Sequence, residues 1–453
     1  MNNTAVYSAE PLRHLSSKNQ AVNRCVRKVI ASVAFLWTTA TGLGLLAEDF
    51  QGAHHVTEYE SEPFSYTRNQ PNDDVSRLNQ RLENGEAPLE FDAKYGYLPD
   101  LLKRLQIVPS SQTLVFSKTS LHREFISPEH PRAIFFNDDV YVGWTPSAPM
   151  LEIASTDPKR GAIFYVLAQT RESKQRITRN QSCLECHVSA KTMGMPGHLL
   201  RSFEVDSSGR PIESTGNIRV THDTQWNDRW GGWYVTGSQG LMTNRGNLFG
   251  ASAFSRHAKD SRFRSNLLSL DEFFPKKSYP SSGSDIVALM VLEHQVHLHN
   301  FLARLQFESV SHLARYGHIR YLNSPIESFL QYLLFTEEPV LTSPVRGLSG
   351  FREHFETQGP LDSKGRSLRK MNLQHRLFEY PCSYLIYSEA FEALPSVVKT
   401  KLYQRLAEIL EGHDDSPPYT RLSAIERTNV LEILRETKKG FATAIQRNFE
   451  PSN

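Results

Sequence analysis

The spacing of apolar positions changes character several times along the chain. Residues 29–47, "VIASVAFLWTTATGLGLLA", form an uncharged run. Residues 48–110 are polar and turn-rich ("EPFSYTRNQPNDD") and read as an extended arm. Between 111 and 275, short aromatic and β-branched runs such as "TLVFSKTS", "RAIFFNDDVYVGW" and "GAIFYVLAQ" alternate with turn clusters, "SPEHPR", "TPSAP" and "TDPKRG". That is a strand-and-turn pattern. "HLLRSFEVD", "GNIRVTHD" and "RWGGWYVTG" continue it.

From 276 to 453 the pattern becomes helical. "SDIVALMVLEHQVHLHNFLARLQ" is apolar on more than one face, which predicts a well-buried helix. Ser324, Pro325 and Glu327 open "SPIESFLQYLLF" as a capping box with proline at the first helical position. Ser423 and Glu426 form a second box. "EYPCSYLIYSEAFEAL" and "VVKTKLYQRLAEIL" are further expected helices. The expected fold class is α+β, a β-rich region followed by a mostly helical C-terminal region.

Residues 1–28 carry Arg13, Lys18, Arg24, Arg27 and Lys28 ahead of the apolar run, and "LLAEDF" follows it. A basic flank, an apolar stretch and a small residue at its end read as an export signal over 1–47. The run is also near the lower limit for a spanning helix, so it could remain as an N-terminal membrane anchor. A periplasmic or otherwise exported chain is the expectation. A net charge of +2 lacks the footprint of a nucleic-acid partner. The cysteines, Cys25, Cys183, Cys186 and Cys382, are too few for a disulfide framework in a chain of 453 residues.

Cys183 and Cys186 stand in "CLECH", with His187 directly after. This spacing suits covalent haem attachment. Two thiols add to the two vinyl groups, and the adjacent histidine ligates the iron. From the composition, ~0.001 such matches arise by chance in a chain of this length. A redox thiol pair would require a βαβ setting, which the surrounding pattern lacks. A structural zinc site would require a second ligand pair, for which His294 and His297 are distant candidates. A disulfide would leave His187 unexplained. Through these five residues the chain resembles the c-type cytochromes, which implies one haem c per chain, electron transfer with a redox partner protein, and an exported location. "RWGGWYVTG" and "RLFEYPCSYLIYSEAF" are similar to stretches of large exported monohaem proteins, a resemblance that implies no particular activity.

The sixth iron position separates carrier from catalyst. Met242 lies 55 residues past His187 and is one candidate ligand; His222, in "RVTHDTQW", is another. Met193, Met195 and His198 are close in sequence and would pack beside the haem. Glu293, His294 and His297 share faces of the expected buried helix. They read as satisfied core groups or, alternatively, as a distal pocket or second metal site. Trp230, Trp233 and Tyr234 could pack on the porphyrin or in the core. Arg201, Arg219, Arg229 and Arg245 are candidate propionate partners. Cys382 reads as a buried inert thiol. The alternative function is a haem enzyme, peroxidase- or oxidase-like, with an open sixth position.

Overall fold

The computed structural model describes residues 57–171 and 175–446. The export segment and Cys25 lie outside these residues. The fold is α+β, with a central antiparallel sheet and a helical C-terminal region.

The strands are β1 (Thr113–Val115), β2 (Arg132–Phe136), β3 (Val140–Trp144), β4 (Met150–Asp157), β5 (Gly161–Ala168), β6 (Thr178–Arg179), β7 (Arg201–Ser202), β8 (Ile218–Arg219) and β9 (Trp233–Tyr234). Seven form one sheet in the order β6-β5-β4-β3-β2-β1-β9, and β7 pairs with β8 separately. Side-chain hydrogen bonds fix the hairpins. Asn137 Oδ1 accepts from the amides of Asp139 (3.1 Å) and Val140 (2.8 Å) between β2 and β3. Asp157 Oδ1 does the same for Lys159 and Arg160 between β4 and β5, where Gly161 takes the left-handed conformation at φ +79°. β4 has no counterpart among the expected strands. Its "MLEIASTD" carries polar residues at Glu152, Ser155, Thr156 and Asp157, which hide the alternation.

The two faces of the sheet serve different ends. Leu114, Phe135, Val142, Ile153 and Ile163 lie on one face. Against them pack helices α1 (Asp74–Glu83) and α2 (Leu98–Arg104), through Val75, Leu78, Leu98 and Leu101. Residues 57–110 are therefore not an extended arm. Their sparse apolar residues suffice to cover a sheet face, each fully buried leucine or valine contributing roughly 1.5–3 kcal/mol. Asp73 caps α1, accepting from Val75 N at 2.9 Å and Ser76 N at 3.1 Å. Tyr165 on the sheet donates to the same carboxylate at 2.6 Å.

The other face carries two cross-strand rows, Ile134–Gly143–Glu152–Val166 and Phe136–Tyr141–Ala154–Phe164. The helical region packs against part of it. After α3 (Leu184–His187) and α4 (Gly250–Lys259) comes α5 (Ile286–Tyr316), which is buried throughout residues 286–306. Asp285 caps α5 with one carboxylate oxygen and holds the amides of Leu348 and Ser349 with the other. Gly317, at φ +70°, ends it. Helices α6 (Asn323–Leu333), α7 (Phe351–Glu356), α8 (Glu389–Glu392), α9 (Ser396–Leu410), α10 (Ala424–Thr437) and α11 (Phe441–Gln446) complete the region.

Three local expectations are corrected. The Ser423–Glu426 box is present, but α6 starts one residue before Ser324, after Leu322, which makes no capping bond. Glu327 instead accepts from Arg405 Nε (2.5 Å) and Tyr419 OH (2.9 Å), contacts that outweigh a local cap. "EYPCSYLIYSEAFEAL" forms a 3-10 turn over Tyr384–Tyr387 and the short α8. Between 198 and 255 only the two-residue strands β7, β8 and β9 form. Trp230 has φ +63° and Gly232 φ +83°, and a Cβ on Gly231 would come within 2.3 Å of Phe203 O. The chain must bend there.

Candidate haem-binding cleft

Asn180 caps a turn over Gln181–Cys183, accepting from Ser182 N at 3.0 Å, and α3 follows at once. Cys183, Cys186 and His187 thus stand at i, i+3 and i+4 and share one helical face. Cys183 is half-buried, Cys186 is exposed, and both are free thiols. Burial, with the Glu152 charge nearby, pushes the Cys183 thiol up to about 11.

The motif is fastened from behind. His187 Nδ1 donates to Gly197 O at 2.9 Å, and Gly197 N donates to His187 O at 3.0 Å. The neutral ring then carries its free lone pair on Nε2. Burial lowers the His187 pKa to about 4, which keeps the ring neutral. Its ring packs on Phe164 with centroids 4.6 Å apart. Gly197 is needed because a Cβ there would meet Asn300 Oδ1 at 2.4 Å and Thr192 Cβ at 2.9 Å.

Cys183, Cys186 and His187 line a cleft of about 980 Å³. Its floor is the second sheet face: Ile134, Tyr141, Gly143, Glu152, Ala154, Phe164 and Val166. Leu292 and Val296 of α5, Leu200, Trp233 and the loop around Leu121 add further walls. A charged pair lies on the floor. Arg132 Nε is 2.8 Å from Glu152 Oε2, and both side chains are largely buried. Gly143 makes room for it, since a Cβ there would lie 2.3 Å from Arg132 Nη2. Arg201 also lines the cleft, its guanidinium over the Phe203 ring at 4.8 Å and no carboxylate within ion-pair distance among the described residues. Burial lowers its pKa.

His198 is the second histidine on the cleft wall. Its Nε2 is hydrogen-bonded to Thr156 Oγ1 at 3.0 Å, and its ring packs on Tyr141 at 4.5 Å. Asn300 clamps its backbone from both sides, accepting from His198 N (2.9 Å) and donating to His198 O (2.8 Å). Arg132, Tyr141, Glu152 and Phe164 escaped the sequence reading as site residues. The alternation of β2, β3 and β5 could have placed three of them on one face; β4 offered no such signal.

The structure does not bring Met242 or His222 to this cleft; neither lines it. Met242 is buried in the core cluster that includes Trp226 and Trp230. His222 follows β8 in a turn, its ring stacked on Tyr332 (4.0 Å) and Phe335 (4.3 Å). The adjacent Asp223 reaches it within that turn, with Oδ1 2.8 Å from His222 Nε2. Met193 and Met195 are buried and do not line the cleft.

Glu293, His294 and His297 are also absent from the cleft wall, although their neighbours Leu292 and Val296 form part of it. Glu293 is fully buried, ion-paired with Arg229 and accepting from Trp230 Nε1 at 2.9 Å. His294 lies between His222 Nδ1 and Ser383 Oγ, each at 2.7 Å. His297 is 2% exposed, and neither ring nitrogen has a hydrogen-bond partner. Of the other candidates, Trp233 lines the cleft, while Tyr234 is buried on the opposite sheet face and donates to Pro128 O at 2.7 Å. Arg245 pairs with Asp228 at 3.0 Å. Arg219 stands opposite Arg201 in the β7–β8 pair. Cys382 is fully buried, which raises its thiol pKa.

Among the described residues no group of three or more histidine, cysteine, aspartate or glutamate side chains could hold a metal ion. A haem iron takes four ligands from its porphyrin and one or two from the protein, so it makes no such demand. No described helix is long and apolar enough to cross a membrane. Neither a family model, nor a curated protein, nor a solved structure matches the chain.

Proposed function

We propose that this chain is an exported monohaem c-type cytochrome that passes electrons to or from a redox partner protein. Cys183 and Cys186 would bind one haem c by thioether bonds, and His187 would ligate its iron. The observation that carries this reading is the placement of all three motif side chains on the wall of one cleft of about 980 Å³. The donor chemistry supports it. His187 Nδ1 is engaged by Gly197 O, the outer-shell bond that orients a ligating imidazole and leaves Nε2 for the metal. The floor sets Ile134, Tyr141, Phe164 and Val166 beside the Arg132–Glu152 pair, and Arg201 offers a guanidinium without an ion-paired carboxylate, suited to a propionate. When bound, haem supplies one-electron redox chemistry. The chain's own residues hold and orient it and limit its contact with water. The basic flank and apolar run of residues 1–47 would deliver the chain to the compartment where covalent attachment takes place.

One observation favours the second reading, a peroxidase- or oxidase-like haem enzyme. Among the described residues no methionine lines the cleft, and His198 is the single histidine there besides His187. On this reading the sixth position would be taken by His198 or stay open.

Co-expression with haem-ligation machinery, followed by acid–acetone extraction and reduced and oxidised spectra, tests both. Colour retained on the polypeptide is the expected result; a colourless polypeptide overturns the haem reading. Low-spin iron that becomes high-spin in His198→Ala, but not in Met242→Leu or His222→Gln, supports the carrier. High-spin iron in the unmodified protein supports the enzyme.

A further inference from the structure

A second cavity, of about 410 Å³, lies between the β2–β3 turn, α7 and the segment around Tyr384. Its walls include a series of rings in contact. Phe136 and Phe351 have centroids 5.5 Å apart, Phe351 and Phe355 5.7 Å, and Phe355 and Tyr384 5.0 Å. The cavity also holds three carboxylates, which differ in their partners. Asp138 is paired with Arg369, whose guanidinium lies over the Phe355 and Tyr384 rings at 4.6 and 4.2 Å. Glu389 is paired with Arg77 at 3.3 Å.

Asp139 has no such partner. Its carboxylate accepts no hydrogen bond from the described residues. The nearest basic atom is His299 Nε2 at 4.0 Å, which already donates to Asp138 O at 2.8 Å. Burial lowers the His299 pKa to about 4, so that ring brings no charge. Desolvation and the neighbouring acids Asp138, Asp74 and Glu389 outweigh the more distant Arg77 charge and push Asp139 up to about 8.

We propose that this cavity binds a small organic cation, an ammonium group on an aromatic or aliphatic body. Asp139 is its counter-ion, and Phe136, Phe351 and Phe355 enclose its apolar part. Ring faces attract cations as well as burying apolar surface, and in this cavity, whose walls are polar and apolar in about equal share, Asp139 is the carboxylate left without an ion-paired cation. An anion is disfavoured because Arg369 is already committed to Asp138.

The site is joined to the motif cleft. Tyr384 OH donates to Gln295 Oε1 at 2.7 Å, and Gln295 Nε2 donates to Tyr141 OH at 2.9 Å. Tyr384 and Gln295 line the second cavity, and Tyr141 lines the cleft. Binding itself does not depend on the haem reading.

Calorimetric titration of the protein at pH 8 with phenethylammonium chloride, and with neutral 2-phenylethanol, tests the proposal. A saturable 1:1 heat is expected, with the amine roughly tenfold or more tighter than the alcohol. Asp139→Asn should lose about tenfold in amine affinity with a melting temperature unchanged or raised, because the carboxylate makes no internal hydrogen bond to lose and its charge is unfavourable in the folded chain. Glu389→Gln should lose less, since Arg77 already neutralises that group. No saturable heat at millimolar amine, or Asp139→Asn binding as tightly as the unmodified protein, overturns the proposal.

Discussion

Helix α5 separates two histidine groups that look alike in sequence and differ in surroundings. On one side, Leu292 and Val296 complete the cleft that His187 and His198 line. On the other, Glu293, His294 and His297 are sealed in with His222, Arg229 and Tyr332. The two motif-side rings hold their positions through one nitrogen each, to Gly197 O and Thr156 Oγ1, while facing a cavity. The sealed group mostly spends its polar atoms on itself: Glu293 on Arg229 and Trp230, His294 on His222 and Ser383. Buried polar groups are expected to be satisfied in this way. The motif-side histidines differ from the sealed ones in standing beside an open space.

That contrast can be broken from both sides. The largest expected effect is total. If the haem reading holds, Cys183→Ser combined with Cys186→Ser should remove all covalently held haem, read by acid–acetone extraction, and should change the stability of the haem-free chain by less than about 1 kcal/mol, because Cys183 is half-buried and Cys186 exposed. Glu293→Ala should do the reverse. It strands the Arg229 guanidinium and Trp230 Nε1 in the core and should cost about 3–5 kcal/mol in denaturant titration, with haem still attached to the folded fraction. Haem loss caused by Glu293→Ala at full folding would show that the two groups are one site.

His297 sharpens the comparison further, as the member of the sealed group whose ring nitrogens meet no partner. Burial, reinforced by Arg219 and the neighbouring histidines, holds its pKa well below the ordinary value. The unfolded chain takes up a proton as pH falls below about 6.5 and the folded chain does not, so stability is lost on acidification. Between pH 7 and pH 5 this group alone contributes a loss of about 2 kcal/mol. His297→Leu should keep stability at pH 7 within about 1 kcal/mol and flatten the acid slope by that 2 kcal/mol. An unchanged slope would mean that the ring is protonated in the folded state, and so has a partner.

Much of this was legible in the sequence, and unevenly so. The motif and the buried character of α5 follow from local pattern alone. So does the α+β division, because period-2 and period-3.6 spacing occupy separate halves of the chain. The placement of Met242 and His222 does not. It depends on where residues 198–255 turn, and those turns are set by Trp230 and Gly232 at positive φ and by the close approach of Gly231 to Phe203. Linear distance from His187 carries no information about such a path. β4 was hidden for a related reason. Glu152 interrupts its apolar pattern because the strand's second face is a cleft floor and not a core.

Gly143 tests whether that floor is specified in detail. It sits inside β3, one residue before its end, where glycine weakens a strand, and its backbone needs no positive φ. Its role is the space it leaves. Arg132 extends from β2 across it to reach Glu152 on β4. In Gly143→Ala the new Cβ would fall 2.3 Å from Arg132 Nη2. The obstructing atom is the far end of a flexible side chain, so the guanidinium swings away and the strand survives. The lost, largely buried pair outweighs the gain in strand preference, leaving a stability loss of about 1–3 kcal/mol in urea titration. The freed Glu152 carboxylate would then face the cleft without its cation. If that floor lies against haem, the reduced form should gain stability less than the oxidised one, and potentiometry should show a potential lower than in the unmodified protein. An unchanged potential in a folded, haem-bearing Gly143→Ala protein would place the Arg132–Glu152 pair outside the influence of the iron.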